Sequence, residues 1–162
     1  MTAPSRRISY DVARARAVRY GWREKVLAYI TRGPDELLVF AHTKEYPDAG
    51  IQVPAGGVEP GEEPVDAVIR ETFEESGLRL GDPSYLASFE WLDVEVPSRI
   101  RHFYWLPAPI DTPDRWEHRV SAGEEDAGMI FRYMFAPRSS PGLIEEYGFD
   151  SGLDDLDRLL RS

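Results

Sequence analysis

The sequence predicts an α/β sandwich with a mixed β-sheet between helices. Three observations carry that reading. Short apolar runs of strand type outnumber helical patterns, one amphipathic helix sits mid-chain, and a Leu-rich helical stretch follows near residue 160. The 162 residues fit one folded domain, since domains span ~100–200 residues. No internal repeat or low-complexity tract interrupts them.

The elements follow in order. Residues 1–23 carry six Arg (6, 7, 14, 16, 19 and 23) against one acid, Asp11. Residues 1–22 read as a basic N-terminal arm or helix, with the helix around 11–20. A transit peptide is the competing reading for such an Arg-rich start. The domain proper is expected over 23–162. Two apolar runs, 25–31 and 36–42, flank the turn Gly33-Pro34-Asp35 and predict a hairpin buried on both faces. Ile51–Val53 is a shorter apolar piece before Pro54, and 55–61 (AGGVEPG) is a Gly-rich loop.

Residues 62–76 predict a helix, with Val65, Val68, Ile69, Thr72, Phe73 and Ser76 on one apolar arc. Gly77 is placed to end it in the left-handed conformation. Residues 85–96 and 100–106 are rich in aromatic and β-branched types and predict strands around the turn Pro97-Ser98. A Pro-rich loop (107–113), a strand (129–136) and a helix (152–160) complete the pattern.

Composition excludes several functions. The chain has no Cys, which removes disulfides, zinc thiolates and thiol nucleophiles. Its net charge of -10 argues against a nucleic-acid polymer or an anionic membrane as partner. No apolar stretch approaches the ~18 residues of a membrane span. Without a secretory pattern, the expected location is the cytoplasm.

The acidity is concentrated. Between Glu59 and Glu75 there are seven acids and one base, Arg70. By helical period Glu71, Glu74 and Glu75 share an arc of roughly 100° opposite the apolar one. Exposed like charges at i, i+3 and i, i+4 cost ~0.2–0.5 kcal/mol per pair, and the helix dipole disfavours acids near a C-terminus. A divalent cation would resolve that conflict. All-oxygen donors without Cys or clustered His suit Mg²⁺, with Mn²⁺ as the alternative. The competing reading is a solvated acidic face.

The preceding loop adds a second constraint. Gly56 and Gly57 let backbone approach a ligand closely. Gly56, Glu62, Arg70, Glu71, Glu74, Glu75, Gly77 and Leu78 together fit G-x5-E-x7-R-E-U-x-E-E-x-G-U, where U is a bulky aliphatic residue. This pattern resembles the signature of the Nudix hydrolase family. Thr72, at the first U position, is the one departure, and it lies on the apolar arc.

The resemblance implies a Nudix-type α/β/α sandwich. It implies a Mg²⁺-dependent pyrophosphohydrolase that cleaves a nucleoside diphosphate linked to another moiety by water attack on phosphorus. On this resemblance Glu74 and Glu75 are the principal metal ligands, and Glu71 is a further ligand or the general base. Arg70 orients the glutamates, Glu62 supports the loop and metal waters, and the Ala55 carbonyl is a backbone ligand. A further acid would come from Glu124, Glu125 or Asp126, with Glu125 preferred and Glu117 in reserve. The alternative is a Nudix-fold nucleotide-binding or regulatory module without catalysis. All four motif Glu and the Arg are present, which argues against it.

Substrate contacts lie outside the motif. Arg23, Lys25, Arg99 and Arg101 are candidates for phosphates, with Arg23 and Arg101 singled out. Trp91, Phe103 and Trp105 could stack a base, but core packing is the better reading for each. The expected partner is a small phosphate compound of nucleotide type. A homodimer is compatible with that expectation.

Overall fold

Alternation along a single strand builds the two layers of this molecule. Val26, Ala28 and Ile30 enter one core, while Leu27 and Tyr29 enter another on the opposite face. Side chains alternate across a strand, so an unbroken apolar run must be covered on both sides. The computed structural model describes residues 5–42, 49–93, 97–123 and 127–161.

The elements are β1 (Ser5–Ile8), α1 (Tyr10–Tyr20), β2 (Arg23–Arg32), β3 (Glu36–His42), β4 (Ala55–Gly57) and α2 (Pro64–Ser76). They continue with β5 (Ser84–Trp91), β6 (Arg99–Pro107), β7 (Arg115–Arg119), β8 (Ile130–Pro137), a 3₁₀ turn (Glu145–Tyr147) and α3 (Leu153–Arg161). The sheet order is β1-β5-β6-β2-β3-β8-β7, with β4 added beside β2. The β2–β6 pair is parallel and the other pairs are antiparallel, so the sheet is mixed as expected. Ala67 and Val68 of α2 close one core, and Leu156 of α3 closes the other.

β2 forks. Near its end Thr31 pairs with Leu37 of β3, but Lys25, Val26 and Leu27 pair with Gly57, Gly56 and Ala55 of β4. The segment expected to be wholly loop from residue 55 therefore begins as a strand. Between β3 and the start of β4 only the bridge Phe40–Gln52 forms among the described residues. A cleft opens along this fork.

The Arg-rich start is an edge strand and a helix laid on the sheet. β1 pairs with β5 over Ser5–Trp91 to Ile8–Ser88. α1 buries Ala13 and Ala17 against Ile100. Ser9 caps α1 through its Oγ, and Gly21 ends it in the left-handed region. The Arg residues find acids across the fold: Arg6 and Arg16 meet Glu90, Arg7 meets Asp155, and Arg14 meets Glu24 and Glu63. Beneath α1 runs a hydrogen-bonded chain, centred on buried Ser88 and His102, that carries no sequence pattern. Ser88 Oγ bonds Tyr85 Oη at 2.7 Å and His102 Nδ1 at 2.7 Å, and His102 Nε2 donates to Glu24 at 2.8 Å.

α2 starts at Pro64 rather than at 62. Pro suits the first helical turn because no N–H is needed there. Its buried face is also rotated from the expected one. Pro64, Ala67, Val68, Glu71, Thr72, Glu75 and Ser76 are buried, while Val65 is exposed. Two acids thus lie on the inward stripe, and the apolar arc read from the sequence is shifted.

An acidic helix end pressed against protein needs its carbonyls satisfied. β7, the segment just after it and β8 supply the donors. Glu74 O accepts from Ser121 N and from His118 Nε2, both at 3.1 Å. Glu75 O accepts from Tyr133 Oη at 2.8 Å, and Ser76 O from Trp116 Nε1 at 2.9 Å. Gly77, at φ 82°, donates to Phe73 O. β7 carries no strand signature in sequence, because RWEHR has no apolar run. Tyr133→Phe should cost about 1–3 kcal/mol by stranding a buried carbonyl. Urea denaturation checks this, and an unchanged midpoint would refute the capping role.

Candidate active site

One guanidinium organises the acidic helix. Arg70 has five N–H groups, and each has an acceptor. Nε and Nη2 donate to the two carboxylate oxygens of Glu62, both at 2.8 Å. Nη2 also donates to Gly57 O at 2.8 Å. Nη1 donates to Glu71 at 2.8 Å and to Glu74 at 3.1 Å. Glu62 also accepts from Glu59 N at 3.0 Å, which folds the loop back onto the helix. A hydrogen bond to a charged group is worth about 1.5–3 kcal/mol. The clustered acids are therefore held by donors, not merely tolerated.

The Gly-rich strand lets the carboxylates come close. A Cβ on Gly56 would stand 1.9 Å from Glu71 Cδ. The Glu71 carboxylate lies where any side chain would be. A Cβ on Gly57 would stand 2.5 Å from Arg23 Nη2. Glu75 Oε1 accepts from Ala55 N at 3.0 Å. Glu75 is 3% exposed and Glu71 7%, yet both border open space.

That space is the cleft at the β2 fork. A cavity of ≈ 380 Å³ is lined by Arg23, Lys25, Ala55, Gly56, Glu71 and Glu75 on its acidic side, and by Phe40, His42, Tyr147 and Phe149 further along. A second cavity of ≈ 320 Å³ reaches Arg70, Glu71 and Glu74 and shares Arg23 and Gly57 with the first. Cations and carboxylates thus line the same groove.

The pattern and its matching segment decide the family: the model of the NUDIX domain matches residues 21–136. The chain belongs to the NUDIX domain family. An RNA pyrophosphohydrolase of Yersinia enterocolitica is 36% identical over 97 residues, which cover 59% of this chain and 54% of that protein. The chain spans about half the length of the curated relatives it matches. Among solved structures, a Bacillus subtilis pyrophosphohydrolase is similar with a TM-score of 0.55 at 18% identity, over 85% of this chain and 82% of that one. An ADP compounds hydrolase reaches a TM-score of 0.62 at 17% identity, over 86% and 73%. These structural likenesses establish the Nudix α/β/α fold.

Most of the expected site residues come together. Glu62, Arg70, Glu71, Glu74, Glu75, Ala55, Gly56, Gly57 and Arg23 all border the groove or bond to residues that do. Arg101 does not. It is buried on the α3 side of β6, with its guanidinium 4.3 Å from the Trp91 ring centroid and bonded to Tyr147 O. Trp91, Phe103 and Trp105 also belong to the interior: Phe103 stacks on Tyr29, and Trp105 Nε1 donates to Thr31. Their strands, β5 and β6, alternate into a covered face, which periodicity alone does not distinguish from a groove. Glu117 on β7 pairs with Arg132 on β8. Glu124, Glu125 and Asp126 lie outside the described residues.

Among the described residues no three His, Asp or Glu side chains converge as a closed metal cage. The donor chemistry nevertheless fits a hard dication that keeps much of its water. Mg²⁺ needs only one or two carboxylates plus substrate oxygens. Glu71 over Gly56 and Glu75 beside Ala55 supply such oxygens at the groove wall.

Arg70 holds the Glu62 carboxyl below the usual carboxylate range, outweighing the opposing effect of burial. A depressed folded-state pKa stabilises the fold at neutral pH, and that stability is lost as pH falls through the folded value. Glu62→Gln should lower stability at neutral pH and leave a shallower acid limb. Melting curves from neutral pH to about pH 3 check this. Parallel limbs in the two proteins would contradict it.

Proposed function

We propose that this chain is a divalent-metal-dependent pyrophosphohydrolase that cleaves the diphosphate bond of a nucleoside diphosphate linked to another moiety. The observation that carries the proposal is the carboxylate cluster set on the side-chain-free Gly56 at the wall of a groove that Arg23 and Lys25 also line. Membership of the NUDIX domain family supports the reaction class.

Glu71, Glu74 and Glu75 with the Ala55 carbonyl would hold Mg²⁺ or Mn²⁺, and Glu125 is a further candidate. The ion would supply Lewis-acid stabilisation of phosphate oxygens and acidify a bound water. The protein's own groups do the rest. Arg70, fixed by Glu62, sets the placement of Glu71 and Glu74. Arg23 and Lys25, on β2 beside Gly57, meet phosphate charge. Water attacks one phosphorus, the P–O bond of the anhydride breaks, and two phosphate products leave. Glu71 is a ligand or the base that takes the water's proton.

The relatives in Yersinia bear the name RNA pyrophosphohydrolase. The same bond occurs at a 5′-triphosphorylated RNA end and in small nucleotides. The overall acidity favours the small compounds. A panel of nucleotide sugars, dinucleoside polyphosphates, nucleoside triphosphates and 5′-triphosphorylated RNA tests the proposal. Turnover of at least one should vanish with EDTA and return with Mg²⁺. No metal-dependent turnover across the panel would refute it. Glu75→Gln should lower kcat by about 10²–10³ with the fold retained, as loss of a reaction-centre electrostatic group does. Mg²⁺ at saturation should raise the melting temperature, because it binds only the folded site. A flat melting temperature would count against the metal assignment.

A further inference from the structure

The groove has an aromatic end that the phosphate chemistry does not use. Tyr147 is 46% exposed there, whereas Phe40 is 2% exposed and belongs to the core. A half-exposed aromatic residue lining a groove can offer its ring to another ring.

The backbone carrying this ring is tied down more firmly than an ordinary surface turn. Tyr29 Oη donates to Phe149 O at 2.5 Å and accepts from Gly152 N at 3.1 Å. Ile144 N donates to Ile51 O at 3.0 Å, which fixes the segment to the opposite lip of the fork. Arg101 donates to Tyr147 O itself. Gly148 turns at φ 70°, and a Cβ there would stand 2.6 Å from the Trp91 ring.

Arg101 is the unusual member. It is 8% exposed, and no carboxylate lies within ion-pair distance of it among the described residues. Burying an unpaired cation is costly. Burial lowers its pKa to about 10. Its compensation is the Trp91 ring at 4.3 Å, the Phe149 ring at 5.9 Å and the Tyr147 carbonyl. Each of these contacts fixes the aromatic wall.

We propose that Tyr147 is the stacking face for the nucleobase of the substrate, and that buried Arg101 is a positioning residue that holds it at the groove. This rests on the pyrophosphohydrolase reading for its substrate class, but its test does not require turnover. Tyr147 lines the same groove as Glu71 and Glu75, so a base seated on its ring would leave the phosphates free to extend toward the acids.

The experiment is calorimetric titration of the intact protein with the four common nucleoside 5′-monophosphates and with ribose 5-phosphate. The wild type should bind at least one nucleotide more tightly than ribose 5-phosphate. Tyr147→Ala should weaken that nucleotide by roughly tenfold, in keeping with base–aromatic stacking, and leave ribose 5-phosphate unchanged. Tyr147→Phe should restore the preference. Arg101→Met should reduce it, and Arg101→Lys, which keeps the cation and a donor, should recover part of it.

Equal affinity of the wild type for nucleotides and ribose 5-phosphate would overturn the proposal, as would an unaltered base preference in Tyr147→Ala. Retention of that preference in Arg101→Met would overturn the positioning role. A protein that hydrolyses nothing yet loses base preference with Tyr147→Ala would sustain the stacking site and defeat the enzymatic reading. Metal-dependent turnover with no effect of Tyr147→Ala would do the reverse.

Discussion

Arg70 is the interaction on which the rest of the site depends. Its five N–H groups meet five acceptors: both oxygens of Glu62, one each of Glu71 and Glu74, and the Gly57 carbonyl. A single planar cation therefore joins the loop, β4 and the inward face of α2. No Lys could do this, since an ammonium has three donors and no fork. The glycine at 56 is the steric counterpart, because the carboxylate that Arg70 holds occupies the place of its missing side chain. Charge and absence of volume act as one constraint.

Support for that constraint arrives from distant sequence. The carbonyls at the acidic end of α2 are answered by donors from Trp116, His118, Ser121 and Tyr133. At the other end Arg14 of α1 links Glu63, the helix cap, to Glu24 on β2. The helix is thus held at both ends by polar contacts and along its length by Ala67, Val68 and Thr72. The basic N-terminal stretch takes on a concrete role in this setting: its arginines neutralise acids of the same sheet and helices.

What was legible in the sequence was local and strongly patterned. The spacing from Gly56 to Leu78, the central helix, and the β2–β3 hairpin could be read because residue types and periods there have few interpretations. Three things resisted reading for physical reasons. The facing of α2 was shifted because Glu71 and Glu75 are inward-facing acids, and a hydrophobic arc assigns such residues outward. β1, β4 and β7 were invisible because two are charged edge or rim strands and one is Ala-Gly-Gly, none with an apolar run. Arg101 was misplaced because a strand covered on both faces carries no mark of which side meets a groove, whereas Trp91, Phe103 and Trp105 pack in the interior, the better of their two readings.

The sharing of carboxylates by Arg70 has a further consequence for cation affinity. Glu71 and Glu74 are not idle oxygens, for each already accepts a charge-assisted bond. A dication recruiting either one would enter an exchange, and its apparent affinity would be the difference between two strong interactions. Loosening Arg70 would then free oxygens while scattering them. Tight capture and accurate placement would pull in opposite directions, and a modest, reversible affinity would be the compromise built into the helix.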